Sequence, residues 1–240
     1  MSGSTKVLQL ISTEQLQFAV YLALSLAVII CTALLTINNK LIYQPFFGWI
    51  NPIAGTTVIS ILGFILLTYL MARGWFAIFQ VQNLPGVALA AALAALFALF
   101  MIAFDSKIVL PQDVNRPFPD SLLFYPTIGF VAEIIFHVLP LTLLLLVTTA
   151  LFKNLTFEQL IWPCILVVAL LEPIFQTTFS LSRTYPWTAV AFIALHNFLF
   201  NFTQLALFKQ YDFVTMYSFR LSYYLLWHIV WGVIRLQVLF

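Results

Sequence analysis

"FVAEIIFHVLP", residues 130–140, decides how the chain folds. Its aliphatic and aromatic residues read as the middle of a membrane-crossing helix, yet Glu133 and, one turn later, His137 are set into it. The rest of the chain has the same apolar character. Of its 240 residues 63% are hydrophobic and 8% are charged, and the mean hydropathy is +1.05. Soluble domains carry about 25% charged and 45–50% apolar residues, whereas crossing a bilayer core of roughly 30 Å takes about 20 apolar residues per helix. The chain is therefore expected to be all-α, a polytopic integral membrane helix bundle. No polar stretch is long enough for a separate soluble unit, so residues 1–240 form a single membrane domain surrounded by lipid.

Glycine, proline and charge divide the hydropathy into about seven transmembrane helices, at 16–37, 52–72, 84–104, 122–151, 158–181, 187–208 and 213–238. Residues 1–120 hold three of these spans and a connecting loop, and 121–240 hold four. Polar residues from Ser2 to Gln17 precede the first span and no small-residue cleavage pattern follows it, which marks a retained span rather than a signal peptide. The longest connection, "DSKIVLPQDVNRPFPDS" at 105–121, is expected at the surface. Loop cations divide evenly: Lys6, Arg73, Lys153 and Lys209 on one side against Lys40, Lys107, Arg116, Arg183 and Arg235 on the other. The positive-inside rule therefore sets no orientation. A net charge of +2 without a basic stripe argues against nucleic acid as a partner. Cys31 and Cys164 lie inside spans and read as small apolar packing residues. Nothing in the sequence sets an oligomeric state.

All three histidines, His137, His196 and His228, fall inside expected spans, together with Glu133 and Glu172. A charged side chain at mid-bilayer costs at least about 2.5–3.5 kcal/mol, so such residues face a bundle interior or a wet cavity and commonly carry function. They concentrate in the last four spans. Residues four apart share a helix face, which pairs Glu133 with His137 and Glu172 with Gln176 and lines up Arg220, Tyr224 and His228. Asn197, Asn201 and Gln204 form a polar seam on a different side of their span from His196. Such a seam reads first as interhelical hydrogen bonding, worth about 0.6–2 kcal/mol per contact. Arg220 is expected to snorkel to the interface, with pairing to a carboxylate or to a substrate C-terminus as the lesser alternative. Pro140 follows His137 closely and Pro173 follows Glu172 directly. Each proline frees the carbonyl four residues before it, and freed backbone at membrane depth needs a partner or a cavity.

Carboxylates and imidazoles converging in such a cavity support three chemistries. They can hold a divalent metal such as zinc and acidify its water. They can activate water without metal, a carboxylate acting as base while an imidazole stabilises the oxyanion. They can also relay protons in a transporter. Simple pairing that holds helices together remains open beside these.

"AEIIFHVLPL" in the fourth span and "YYLLWHIVWG" in the last resemble the four-helix core of the CPBP (CAAX protease and bacteriocin-processing, or Abi) intramembrane peptidases. That family carries EExxxR on a first helix, FxxxH on the next, a glycine-rich third helix and HxxxN on the fourth, and the likeness covers roughly residues 120–240. Glu133 matches the second glutamate of the first motif, with Ala132 in place of the first and His137 in place of arginine. Val168 and Glu172 stand where the second motif has Phe and His; His228 matches the last, with Gly232 where Asn is expected. A rival alignment takes "LEPIFQ" (171–176) as the first motif and "FIALH" as the second, which brings in His196.

The resemblance implies a glutamate-dependent endopeptidase that cleaves a membrane-associated peptide or protein, in the plasma membrane of a bacterium. Glu133 would activate water, His228 would serve the oxyanion or metal site, and His137 and Glu172 would complete the site. The same four residues would ligate a metal if one is used, with His196 as a ligand under the rival alignment. Two alternatives stand beside it: an inactive relative acting in assembly, immunity or scaffolding, and a proton-coupled transporter. The absence of an inverted repeat between the halves speaks against the transporter.

Overall fold

The computed structural model describes residues 14–38, 41–178 and 186–240. Lys6, Lys40 and Arg183, counted above among the loop cations, lie outside the described residues, as does the end of the expected span 158–181. Among the described residues every extended element is helical: α1 Gln15–Asn38, α2 Pro52–Ala72, α3 Leu84–Ile108, α4 Ser121–Leu151, α5 Phe157–Gln176, α6 Trp187–Gln210 and α7 at 213–238. A single-turn helix at Gln44–Phe47 lies between α1 and α2. The first six are long and apolar enough to cross a membrane, and the chain is a multi-pass, all-α membrane protein.

The helices pack in an order that places α4 centrally. It touches α1 and α2 on one side, α5 on another and α7 on a third, while α7 also lies along α3, and α6 bridges α5 and α7. Apolar length specifies each helix, but the breaks inside them are local chemistry. Pro140 cannot donate to the carbonyl of Phe136, and the chain widens there into a π-helical segment, Glu133–Val138, inside α4. Pro173 likewise leaves the carbonyl of Ala169 without its usual donor, and α5 is interrupted at Leu170. A second π segment, Tyr224–Val230, lies inside α7 and contains no proline.

One close approach sets the position of the first π segment. A Cβ at Gly63 of α2 would lie 2.5 Å from Ile134 Cδ1 and closer still to Tyr21 Oη, so only a glycine lets α1, α2 and α4 meet at this level. The Tyr21 hydroxyl donates to the carbonyl of Ser60 at 2.8 Å and is held in place. Gly63→Ala is expected to destabilise the bundle by about 1–3 kcal/mol through overpacking. Thermal unfolding in detergent reads this directly, and an unchanged midpoint would mean that the helices can separate there at no cost.

Two expectations about charge are corrected by the fold. Helix α3 runs past residue 104 to Ile108, so Asp105 lies inside it rather than in the following loop. Arg235, counted above as a loop cation, is fully buried and forked onto Asp105, with Nε on Oδ2 at 2.8 Å and Nη2 on Oδ1 at 3.0 Å. Its remaining N–H groups donate to the carbonyls of Leu110, Pro111 and Gln112, and Trp231 Nε1 donates to Asp105 Oδ2 at 2.7 Å. This pair fastens the start of the 109–120 connection to the end of α7.

Candidate functional site

The π segment of α4 turns Glu133 and His137 into the bundle, where both are fully buried. Glu133 Oε2 faces His137 Nδ1 at 2.7 Å. Glu133 Oε1 accepts from Arg220 Nε of α7 at 2.6 Å and from the side-chain amide of Gln204 of α6. Glu172, on the last turn-and-a-half of α5, lies on the other side of the same guanidinium. Its Oε1 accepts from Arg220 Nη1 at 3.2 Å and its Oε2 from Nη2 at 2.8 Å, while Gln176 Nε2 donates to Oε1 at 3.1 Å. Arg220 completes its set by donating to Gln204 Oε1 at 3.1 Å and to the Tyr224 hydroxyl at 3.0 Å. All five of its N–H donors are in use.

Four helices thus supply one ionic cluster: Glu133 and His137 from α4, Glu172 from α5, Gln204 from α6 and Arg220 from α7. The two carboxylates outnumber the guanidinium by one charge. The His137 ring lies between the two acids, with Nδ1 facing Glu133 and Nε2 3.9 Å from Glu172 Oε2. That Nε2 is buried and has no hydrogen-bond partner among the described residues. Buried polar atoms are nearly always satisfied, so an orphan imidazole nitrogen beside a carboxylate marks a place where a further polar group fits. The carboxamide of Asn201, buried on α6, lies beside Glu172. Gln176 receives Asn197 Nδ2 at 2.6 Å, so the seam of α6 faces the same cluster.

The sequence-based site residues divide into two groups. Glu133, His137 and Glu172 converge as expected. His228 does not join them: its Nδ1 lies 2.6 Å from Asn115 Oδ1, its ring stacks on Tyr125 at 4.4 Å, and the ring of Tyr224 stands between it and Arg220. His196 lies apart in an aromatic setting of Phe97, Phe192 and Tyr223, with Nε2 3.3 Å from the Tyr223 hydroxyl. Arg220 is the main correction. It does not snorkel; it is 2% exposed and bridges both glutamates. Its place on the inward stripe with Tyr224 and His228 was the signal for this, since that stripe contains the two residues that most need burial or a partner.

The same geometry bears on zinc. Arg220 occupies the space between the two carboxylates that an ion would need, and His228 is directed elsewhere. Among the described residues no three His, Cys, Asp or Glu side chains are grouped to hold a metal. The residues present do not fit a zinc site. Two cavities lie elsewhere: one of about 300 Å³ lined by Glu14, Trp75, Gln80 and Lys209 at one end of the bundle, and an apolar groove of about 250 Å³ between α3 and α7. Neither is lined by a residue of the ionic cluster. No family model, curated protein or solved structure matches the chain.

Proposed function

We propose that this protein is a divergent CPBP-type intramembrane endopeptidase that works through a carboxylate–imidazole–carboxylate line without a metal in the cluster. The observation that carries the reading is the orphan His137 Nε2, 3.9 Å from Glu172 Oε2 and backed through Nδ1 by Glu133. A buried acid that orients an imidazole whose far nitrogen faces a reactive position is the general arrangement of acid–base hydrolysis. Glu172, rather than Glu133, is then the residue that takes a proton from water. Glu133 is wholly enclosed by His137, Gln204 and Arg220, whereas the Glu172 side chain keeps 8% exposure and an oxygen directed toward His137. Arg220 holds the two acids apart and stabilises their charge. As part of the same proposal, α7 is the seventh transmembrane helix, the four-helix core is α4–α7, the membrane is a bacterial plasma membrane, and the substrate is a membrane-associated peptide or protein.

A second reading is favoured by a specific observation. Arg220 satisfies both glutamates, as expected of a relative whose polar set only holds helices together in an assembly, immunity or scaffolding role. Glu172→Gln separates the two readings. It removes one negative charge from a cluster that has one in excess, and the amide keeps a hydrogen-bonding shape, so the fold is expected to survive. Protein N termini newly generated in membranes containing the wild type are expected to fall by about 10²-fold or more in membranes containing Glu172→Gln. Equal cleavage by both proteins would end the peptidase reading. No cleavage by either, with a lowered melting temperature in the variant, would leave the structural role in its place.

A further inference from the structure

His228 is held by a residue far away in sequence. Asn115 belongs to the 109–120 connection, and its Oδ1 lies 2.6 Å from His228 Nδ1. The carboxamide does not reach the ring by chance of an open surface. One turn beyond His228 on α7 stands Gly232, and a Cβ there would lie 3.2 Å from Asn115 Cβ, 3.3 Å from Nδ2 and 3.5 Å from Cγ. The position from which a helical neighbour would approach His228, four residues on, is therefore empty of side chain, and Asn115 fills it. The connection is fixed at this depth by Arg235, whose guanidinium binds the carbonyls of Leu110, Pro111 and Gln112, and by Tyr125, whose hydroxyl accepts from the backbone N–H of Arg116 at 2.9 Å. Tyr125 also stacks on the His228 ring at 4.4 Å. Two sides of the imidazole are thus set by the connection and by the residue that holds it.

We propose that Asn115 is a positioning residue for His228, its carboxamide reaching the ring from the 109–120 connection across the space that Gly232 leaves open. The oxygen of the carboxamide accepts from Nδ1–H, so the ring proton is fixed on Nδ1 and Nε2 keeps its lone pair. No partner for Nε2 is present among the described residues. A neutral imidazole held in one tautomer by an acceptor on its other nitrogen is a base or acceptor ready for a donor group, and here that group is the amide N–H of a peptide or a water. The catalytic consequence rests on the hydrolase reading above; the geometry does not.

The experiment uses the full chain with ¹⁵N-labelled histidine in detergent micelles. Only three histidines are present, and His228→Gln identifies the signal of His228. In the wild type the His228 ring is expected as the Nδ1–H tautomer. Asn115→Gly is expected to lose that preference, and Asn115→Gly with Gly232→Asn to restore it, because the asparagine then approaches from the helix. Cleavage, if the hydrolase reading holds, should fall and return with the tautomer. An Nε2–H tautomer in the wild type overturns the proposal without any variant. So does an unchanged His228 signal in Asn115→Gly, or a folded double variant that restores nothing. Since the tautomer is read whether or not the protein cleaves anything, loss of the peptidase reading would leave this result standing.

Discussion

Arg220→Leu is expected to destabilise the protein by about 3–5 kcal/mol, the cost of leaving buried charges without their partner. The change strips both Glu133 and Glu172 of the guanidinium that separates them and leaves Gln204 and the Tyr224 hydroxyl without a donor. In a chain of this size the loss corresponds to a fall of about 6–20 °C in the melting temperature, read by thermal unfolding of the purified protein in detergent. Arg220→Lys should recover only a small part, because one ammonium cannot reach two carboxylates with the fork geometry that five donors allow. The sharper check is neutralisation of the whole set. Arg220→Leu combined with Glu133→Gln and Glu172→Gln should melt above Arg220→Leu alone, since no uncompensated charge remains. A single variant as stable as the wild type would mean that water reaches the cluster and screens it.

Asp105→Ala is the second large effect, also about 3–5 kcal/mol, and for a related reason: Arg235 is fully buried and would keep its charge with no carboxylate partner, facing backbone carbonyls and the Phe240 ring. A second loss adds to this. Val109 ends α3 in the left-handed region at φ 51°, a conformation that a β-branched residue rarely adopts. Asp105 Oδ1 helps hold it there by accepting the N–H of Leu110 at 2.8 Å. Without Asp105 the 109–120 connection should loosen, which limited proteolysis between residues 109 and 120 would detect alongside the lowered melting temperature. Asp105→Leu with Arg235→Met is expected to regain part of the stability, because an apolar pair of similar size replaces an ion pair more cheaply than one orphaned charge does. Equal melting of Asp105→Ala and the wild type would show the ion pair to be exposed to water in the folded protein.

These two clusters differ in how far they could be read from the residues alone. Glu133, His137 and Glu172 stood out because an acid in the middle of an apolar run has no other explanation than a partner or a function. Arg220 lay in the same span as His228 and on the same stripe, but an arginine with a long apolar stem near a helix end is also well placed to snorkel. Asp105 and Arg235 looked like loop charges because they fall at the edges of apolar runs, where length statistics are blind to a helix that continues for another turn. Asn115 carried no signal at all: its partner is 113 positions away, and only the glycine at 232 hinted at room for something. The expectation that His228 would join the glutamates failed because a π segment and the bulk of Tyr224 separate it from Arg220.

What the sequence by itself determined is the set of helices and that Glu133, His137, Glu172, His196 and His228 lie inside them. The bilayer imposes those on each span separately, since backbone hydrogen bonds must close within the helix whatever its neighbours are. Only the tertiary structure decided which polar groups meet. Lipid is as apolar as the bundle interior, so hydropathy does not set how far a helix turns about its own axis. That rotation is set by close contacts such as Gly63 against Ile134 and by the few buried charges that must find one another.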